Sequence, residues 1–211
     1  MPPSRRFRDR TEAGERLGEA LRERDVAVDL VLAVPRGGLP VGRAVADAVG
    51  APLDVVVASK IGAPGNPELA IGAVASDGSV WRNEAALRGT GAGEEYFERE
   101  RELEVDNARR KADRYRGDRP ELDLAGKTVV VVDDGVATGS TLRACLRMLA
   151  ESDADRVVVA VPVGPPDTIA ELRETVDEVV CLETPGSFMG VGQFYERFDQ
   201  VSDEAAMAYL E

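Results

Sequence analysis

Asp133 and Asp134 stand side by side at the end of the valine run 129–132, and Thr138-Gly139-Ser140-Thr141 follows after a short spacer. A strand that ends in small residues and then opens a helix turns successive backbone N–H groups inward. The helix N-terminus adds a partial positive charge. Thr138, Ser140 and Thr141 supply hydroxyl donors, and Gly139 lets the backbone approach a ligand closely, so this loop can cup one phosphate. Helix caps and tight turns use the same residue types. The acidic pair shifts the balance. Two carboxylates beside a phosphate cup would repel a bare phosphate, but they suit a ligand that also offers hydroxyls, because an ionised carboxylate is a strong acceptor. A ribose 5-phosphate has that layout. A capping role accounts for one aspartate and leaves the other unexplained.

The elements that must hold these residues follow a strand, loop, helix rhythm. DLVLAVPRGG (29–38) is an apolar run ending in a turn. LPVGRAVADAV (39–49) places Val41, Ala44, Val45, Ala48 and Val49 at helical spacing, and Gly50 ends it. LDVVVAS (53–59) reads as a second strand and TVVVVDD (128–134) as a third. Leu142, Cys145, Leu146 and Leu149 mark the helix after it. RVVVAVPV (156–163) is a fourth strand, DTIAELRETV (167–176) a helix and EVVCLE (178–183) a fifth strand. Apolar runs without alternation, separated by helices, predict a parallel sheet covered on both faces, with ligands bound beyond the carboxyl ends of its strands. The loops PRGG and DDGVATGST both lie at such ends and can face one crevice. Two stretches break the rhythm: LAIGAVASDGSVWRNE (69–84) alternates around SDGS like a β-hairpin, and 94–116 is a long charged helix with a solvated face. Asp9 with Glu12 is a plausible cap for a first helix with Ala13, Leu17, Ala20 and Leu21 on one face.

Composition narrows the chemistry. The net charge of -13 argues against a nucleic-acid groove, which needs clustered Lys and Arg. No apolar run approaches the roughly 20 residues that span a bilayer. The basic N-terminus has no apolar core of a signal peptide, so a cytoplasmic location is expected. An acidic surface with lysine only at Lys60, Lys111 and Lys127 fits a high-salt cytoplasm. Without histidine, Ser-His-Asp and Cys-His schemes and His-ligated zinc are excluded. Cys145 and Cys181 read as small buried residues. Gly126-Lys127-Thr128 is not a nucleotide P-loop: Glu121 stands where its first glycine belongs, and a strand follows instead of a helix.

VVVVDDGVATGST (129–141) closely resembles the phosphoribosyl pyrophosphate signature of type I phosphoribosyltransferases, with Asp133 and Asp134 as the acidic pair and Thr138-Gly139-Ser140-Thr141 as the phosphate loop. The likeness extends over roughly 30–185. VPRGG (34–38) resembles the family's pyrophosphate loop, and Lys60 lies where the family commonly places a basic residue near the diphosphate. The hairpin 69–84 occupies the place of its flexible catalytic loop. SKIGAPGNPELAIGAVASDG and GSFMGVGQFYERFDQVSDE resemble, more narrowly, a subgroup of predicted phosphoribosyltransferases, a likeness that carries no acceptor with it.

The resemblance implies a single α/β domain over 1–211: a three-layer, doubly wound parallel sheet about 26–185, a β-hairpin loop, and a small C-terminal hood about 186–211 joined by the N-terminal helix. It implies an Mg²⁺-dependent transferase that moves the phosphoribosyl group of phosphoribosyl pyrophosphate to a small planar nitrogenous acceptor, with a homodimer as an expectation. Asp133, Asp134 and Arg36 would be catalytic. Gly135, Val136, Ala137 and the phosphate loop would complete the phosphoribosyl site. Arg36, Lys60 and the amides of Gly37 and Gly38 would hold the diphosphate. The carboxylates would meet the metal mainly through ribose hydroxyls or water. Ala137 stands where enzymes for 6-oxopurines often have a base-contacting aspartate, which weakens a guanine or hypoxanthine assignment. Gly135 replaces the family's usual bulky apolar residue. Phe188 and Tyr195, in a segment with Phe194 and Phe198, either form a hood against a planar ring or pack the last element. A non-catalytic sensor of the same ligand and a sugar-phosphate hydrolase or phosphorylase are the alternatives.

Overall fold

The computed structural model describes residues 7–120 and 122–211. The chain forms two compact units. Of the described residues, the first comprises 7–56, 122–138 and 153–211; the second comprises 57–120 and 139–152.

The first unit is built on a five-stranded parallel sheet. Its strands are β1 (Leu30–Ala33), β2 (Leu53–Val55), β6 (Thr128–Val132), β7 (Arg156–Val163) and β8 (Glu178–Glu183), in the order β2-β1-β6-β7-β8. The register runs Ala33 to Val132, Val132 to Ala160, and Val163 to Glu183. Val129, Val130, Val131 and Val132 are all fully buried, as β-branched side chains in a strand covered on both faces should be. Helix α1 (Arg10–Glu23) opens where predicted: the Asp9 side chain accepts from the Glu12 N–H at 3.0 Å, and Glu12 accepts from the Arg8 N–H. α1 packs on α2 (Gly38–Val49) through Gly14 and Gly18 as well as Leu17 and Leu21. A Cβ on Gly14 would lie 2.5 Å from the Val41 carbonyl oxygen, so the two helices approach more closely than the apolar pattern suggests. Gly50, left-handed at φ 71°, ends α2.

The second unit holds a three-stranded antiparallel sheet, β3 (Ala58–Ala63), β4 (Asn66–Ala75) and β5 (Val80–Arg82). It also contains α3 (Glu84–Thr90), α4 (Glu94–Arg116) and α5 (Ser140–Ala150). Its core gathers Ile61, Ile71, Val74, Leu87, Phe97 and Val105. The SDGS turn of the expected hairpin lies between β4 and β5. The predicted strand 53–59 is two strands. The Val56 N–H donates to Ala33 in the parallel unit, whereas the Val57 carbonyl accepts from Ser76 in the antiparallel one. A continuous β-branched run cannot reveal a change of pairing partner. α5 packs on β3, β4 and β5, so the helix after the signature loop belongs to the antiparallel unit.

The first unit is completed by α6 (Pro166–Arg173), between β7 and β8, and by the C-terminal segment, which holds a 3-10 turn (Val191–Phe194) and α7 (Asp203–Ala208). Phe7 pairs with Tyr195, so the start of the described chain and the hood form one structure. Among the described residues no helix is long and apolar enough to cross a membrane. Cys145 is buried as expected. Cys181 is only half-buried, and burial still pushes its thiol up to about 11, so it stays protonated and weakly nucleophilic.

Candidate functional site

Within the first unit, the glycine turn and the acidic start of the signature loop meet at neighbouring strand ends. β1 and β6 lie side by side, and beyond them the Val34 N–H donates to the Val132 carbonyl at 2.9 Å. The chain then turns through a cis Pro35–Arg36 peptide into α2. Gly37 and Gly38 sit directly on the acidic pair. A Cβ on Gly37 would lie 2.0 Å from Asp134 Oδ2; one on Gly38 would lie 2.8 Å from the Val132 carbonyl oxygen and 3.1 Å from Asp133 Cα. Glycine is required here because side-chain atoms have no room.

The two carboxylates have different surroundings. Asp133 Oδ1 accepts from the Asp134 N–H at 2.8 Å. Asp134 Oδ2 accepts from Arg10 Nε at 2.8 Å, and the Asp134 carbonyl accepts from the Tyr195 hydroxyl at 2.6 Å. Burial, and then the charge of Asp134, pushes the Asp133 carboxyl well above the usual carboxylate range. Burial also raises Asp134, against the opposing pull of Arg10.

The spacer after the pair anchors the loop. A Cβ on Gly135 would lie 2.6 Å from Val191 Cγ1 and 3.1 Å from Val163 Cγ1, so the hood occupies the space that a bulky residue would need. Val136 fastens the loop to β7: its N–H donates to Val163 at 2.9 Å and its side chain is buried. Ala137 is exposed, and its carbonyl accepts from Thr168 Oγ1 at 2.9 Å. Thr138 is exposed, Ser140 is buried and Thr141 is half-buried. Gly139, left-handed at φ 72°, caps α5, as the sequence pattern requires.

In the glycine turn the Gly38 N–H donates to Val34 at 3.0 Å, closing the turn. Arg36 is about half exposed and lies 3.8 Å from Asp203 Oδ1 of α7. Lys60, on β3 of the second unit, pairs with Glu68 at 3.2 Å. In the hood, the Phe188 ring stacks on Phe194 with centroids 5.4 Å apart. Tyr195 is 4% exposed. It packs against Phe7 and Phe198, and burial raises its hydroxyl pKa. Its ring is thus committed to packing and has no face left for an acceptor. The sequence reading missed Arg10. In a chain with 26 basic residues, most of them arginine, nothing in the local pattern DRTE singles it out.

Among the described residues no group of three or more His, Cys, Asp or Glu side chains forms a metal cage. Two carboxylates suit a different kind of ion: Mg²⁺ keeps several waters and binds through one or two carboxylates plus substrate phosphates. Asp133 and Asp134 fit an ion of that kind that arrives with a phosphorylated ligand.

The Phosphoribosyl transferase domain family matches residues 11–198. A Mycobacterium tuberculosis protein, named "Putative phosphoribosyl transferase Rv0571c", is 43% identical over 208 residues. That match takes in 97% of this chain and 46% of the relative, so the chain spans about half the length of the curated relatives it matches. Among solved structures, TT1426 from Thermus thermophilus is 45% identical and superposes with a TM-score of 0.82 over 97% of each chain. The AQ2163 protein of Aquifex aeolicus shares the fold at a TM-score of 0.51 and 16% identity, over 83% of this chain and 74% of its own. The signature at the end of β6, its parallel-sheet setting and a match over most of the length agree: this chain belongs to the phosphoribosyl transferase domain family.

Proposed function

We propose that the protein binds phosphoribosyl pyrophosphate with Mg²⁺ and transfers the 5-phosphoribosyl group to a nitrogenous acceptor, a nucleobase or similar planar base, releasing pyrophosphate. One observation carries this reading: the glycine turn 35–38 is packed within 2.0–3.1 Å, measured from ideal Cβ positions, of the acidic pair that opens the signature loop. The packing of that turn against two carboxylates supports a ligand that offers both a diphosphate and a diol.

In this reading the signature loop takes the 5-phosphate, the acidic pair serves the ribose hydroxyls, and Arg36 offsets charge on the diphosphate. The C1–oxygen bond breaks with its electron pair leaving on pyrophosphate. The acceptor nitrogen then supplies the pair for the new C1–N bond on the opposite face. Negative carboxylates near the sugar favour the cationic ribosyl centre, and holding both reactants in line removes much of the entropic barrier. A bound Mg²⁺ would neutralise the leaving diphosphate. Phe188 is the hood ring that can face a planar acceptor.

The test is pyrophosphate release from phosphoribosyl pyrophosphate and Mg²⁺ with a panel of purine and pyrimidine bases. Acceptor-dependent release supports the transferase. Release without an acceptor would favour a hydrolase, and tight binding without turnover would favour a sensor.

A further inference from the structure

Arg10 is the first residue of α1, yet its side chain ends on the acidic pair 124 positions away. Nε donates to Asp134 Oδ2 at 2.8 Å, Nη1 donates to the Asp199 carbonyl at 2.8 Å, and the guanidinium carbon lies 3.9 Å from the centre of the Phe198 ring. Two edges and one face of the planar cation are therefore in use, a combination that only arginine offers. Both side chains of the ion pair are largely shielded, at 12% and 15% exposure, so the pair is stronger than a solvent-screened surface contact.

Asp134 is committed on three sides. Its Oδ2 meets Arg10, the same oxygen lies 2.0 Å from where a Gly37 Cβ would be, and its carbonyl receives the Tyr195 hydroxyl. The Asp133 carboxylate is held differently. Its hydrogen bond among the described residues is the local one from the Asp134 amide. For Asp134 to turn both carboxylate oxygens to a diol, it would have to give up a shielded, charge-assisted bond. For Asp133 to do so, it need give up at most that local bond.

We propose, building on the ligand assigned above, that Arg10 is the positioning residue of the acidic pair. It holds Asp134 for the protein's own architecture, leaves Asp133 as the carboxylate that receives the ribose hydroxyls, and latches the C-terminal segment at 198–199 to that pair. The two aspartates of the signature thus have unequal roles in this chain, and the hood is tied to the sugar site through one guanidinium.

Two readouts test this, one with ligand and one without. Phosphoribosyl pyrophosphate with Mg²⁺ is titrated calorimetrically into the wild type, Asp133→Asn, Asp134→Asn, Arg10→Gln, Arg10→Lys and the Arg10→Gln/Asp134→Asn double variant. Hydrogen exchange at the Glu196 and Arg197 amides, which donate to Phe7 and Arg8, is followed in the ligand-free proteins, with α6 amides as the internal reference. Asp133→Asn should weaken binding about 100-fold, as loss of charged hydrogen bonds to a diol would. Asp134→Asn and Arg10→Gln should each cost about 10-fold, and the double variant no more than the worse single one, since both break one contact. Arg10→Lys should stay near Arg10→Gln, because an ammonium lacks the fork and the stacked face. Exchange at the Glu196 and Arg197 amides should quicken by about 10-fold in both Arg10 variants, while α6 stays protected.

Equal losses for the two aspartates, or additive losses in the double variant, would overturn the division of roles. Unchanged exchange at Glu196 and Arg197 would overturn the latch. If the wild type does not bind the ligand at all, the proposed function falls, and the exchange experiment still decides the latch by itself.

Discussion

Two glycine-bearing turns of this molecule use glycine for opposite reasons. Around the acidic pair, Gly37, Gly38 and Gly135 each have a neighbouring atom within 3 Å of where a Cβ would be. At the β3–β4 turn, Gly65 has nothing within 4 Å and is glycine because its φ is +72°. Residues 64–69 there are all exposed, whereas 70–75, expected from the resemblance to form part of a flexible loop, are buried strand. The first region is a packed socket whose shape depends on missing side chains; the second is an open bend whose shape depends on a backbone angle. Function that needs fixed geometry belongs in the first.

The difference can be broken by substitution. Gly37→Ala should have the largest effect, because the new methyl falls 2.0 Å from Asp134 Oδ2 and must push the carboxylate or the turn aside. Overpacking of this kind costs about 1–3 kcal/mol. A clear fall in the thermal midpoint together with loss of calorimetric ligand binding is expected; unaltered binding would mean that the socket is not the ligand site. Arg36→Ala comes next. It should weaken phosphoribosyl pyrophosphate by about 10-fold or more, as loss of a charged contact does, and ribose 5-phosphate much less. Equal loss for both in parallel titrations would contradict a role at the diphosphate.

Gly135→Ala should cost about 1–3 kcal/mol by the same overpacking argument, because Val191 and Val163 must move. The hood should loosen with it, seen as faster proteolysis near 191. Gly65→Ala should be mildest, about 1–2 kcal/mol from the left-handed backbone alone. It should lower the melting midpoint by a few degrees without the loss of binding expected of Gly37→Ala.

Much of the first region was legible in the sequence, because buried parallel strands leave unbroken apolar runs. The strands at 30–33, 128–132, 156–163 and 178–183 each announce themselves that way, and Asp9 with Glu12 announces the start of α1. The acidic pair and the phosphate loop were legible as chemistry, since small donors beside two carboxylates have few structural uses. What stayed hidden depends on partners distant in sequence. The pairing switch between Val56 and Val57, the glycine face of α1 and the Gly38 amide taken by Val34 leave no local mark. Arg10 and Tyr195 were hidden for the same reason: each meets Asp134 only through the fold.

The most direct test of the central claim is calorimetric titration of phosphoribosyl pyrophosphate with Mg²⁺, in high salt, into the wild type and the Asp133→Asn/Asp134→Asn double variant. Saturable one-site binding by the wild type, weakened about 100-fold or more in a variant whose circular dichroism is unchanged, is the predicted result. Absence of binding by the folded wild type, or equal affinity in the variant, would contradict the assignment of this socket to the phosphoribosyl ligand.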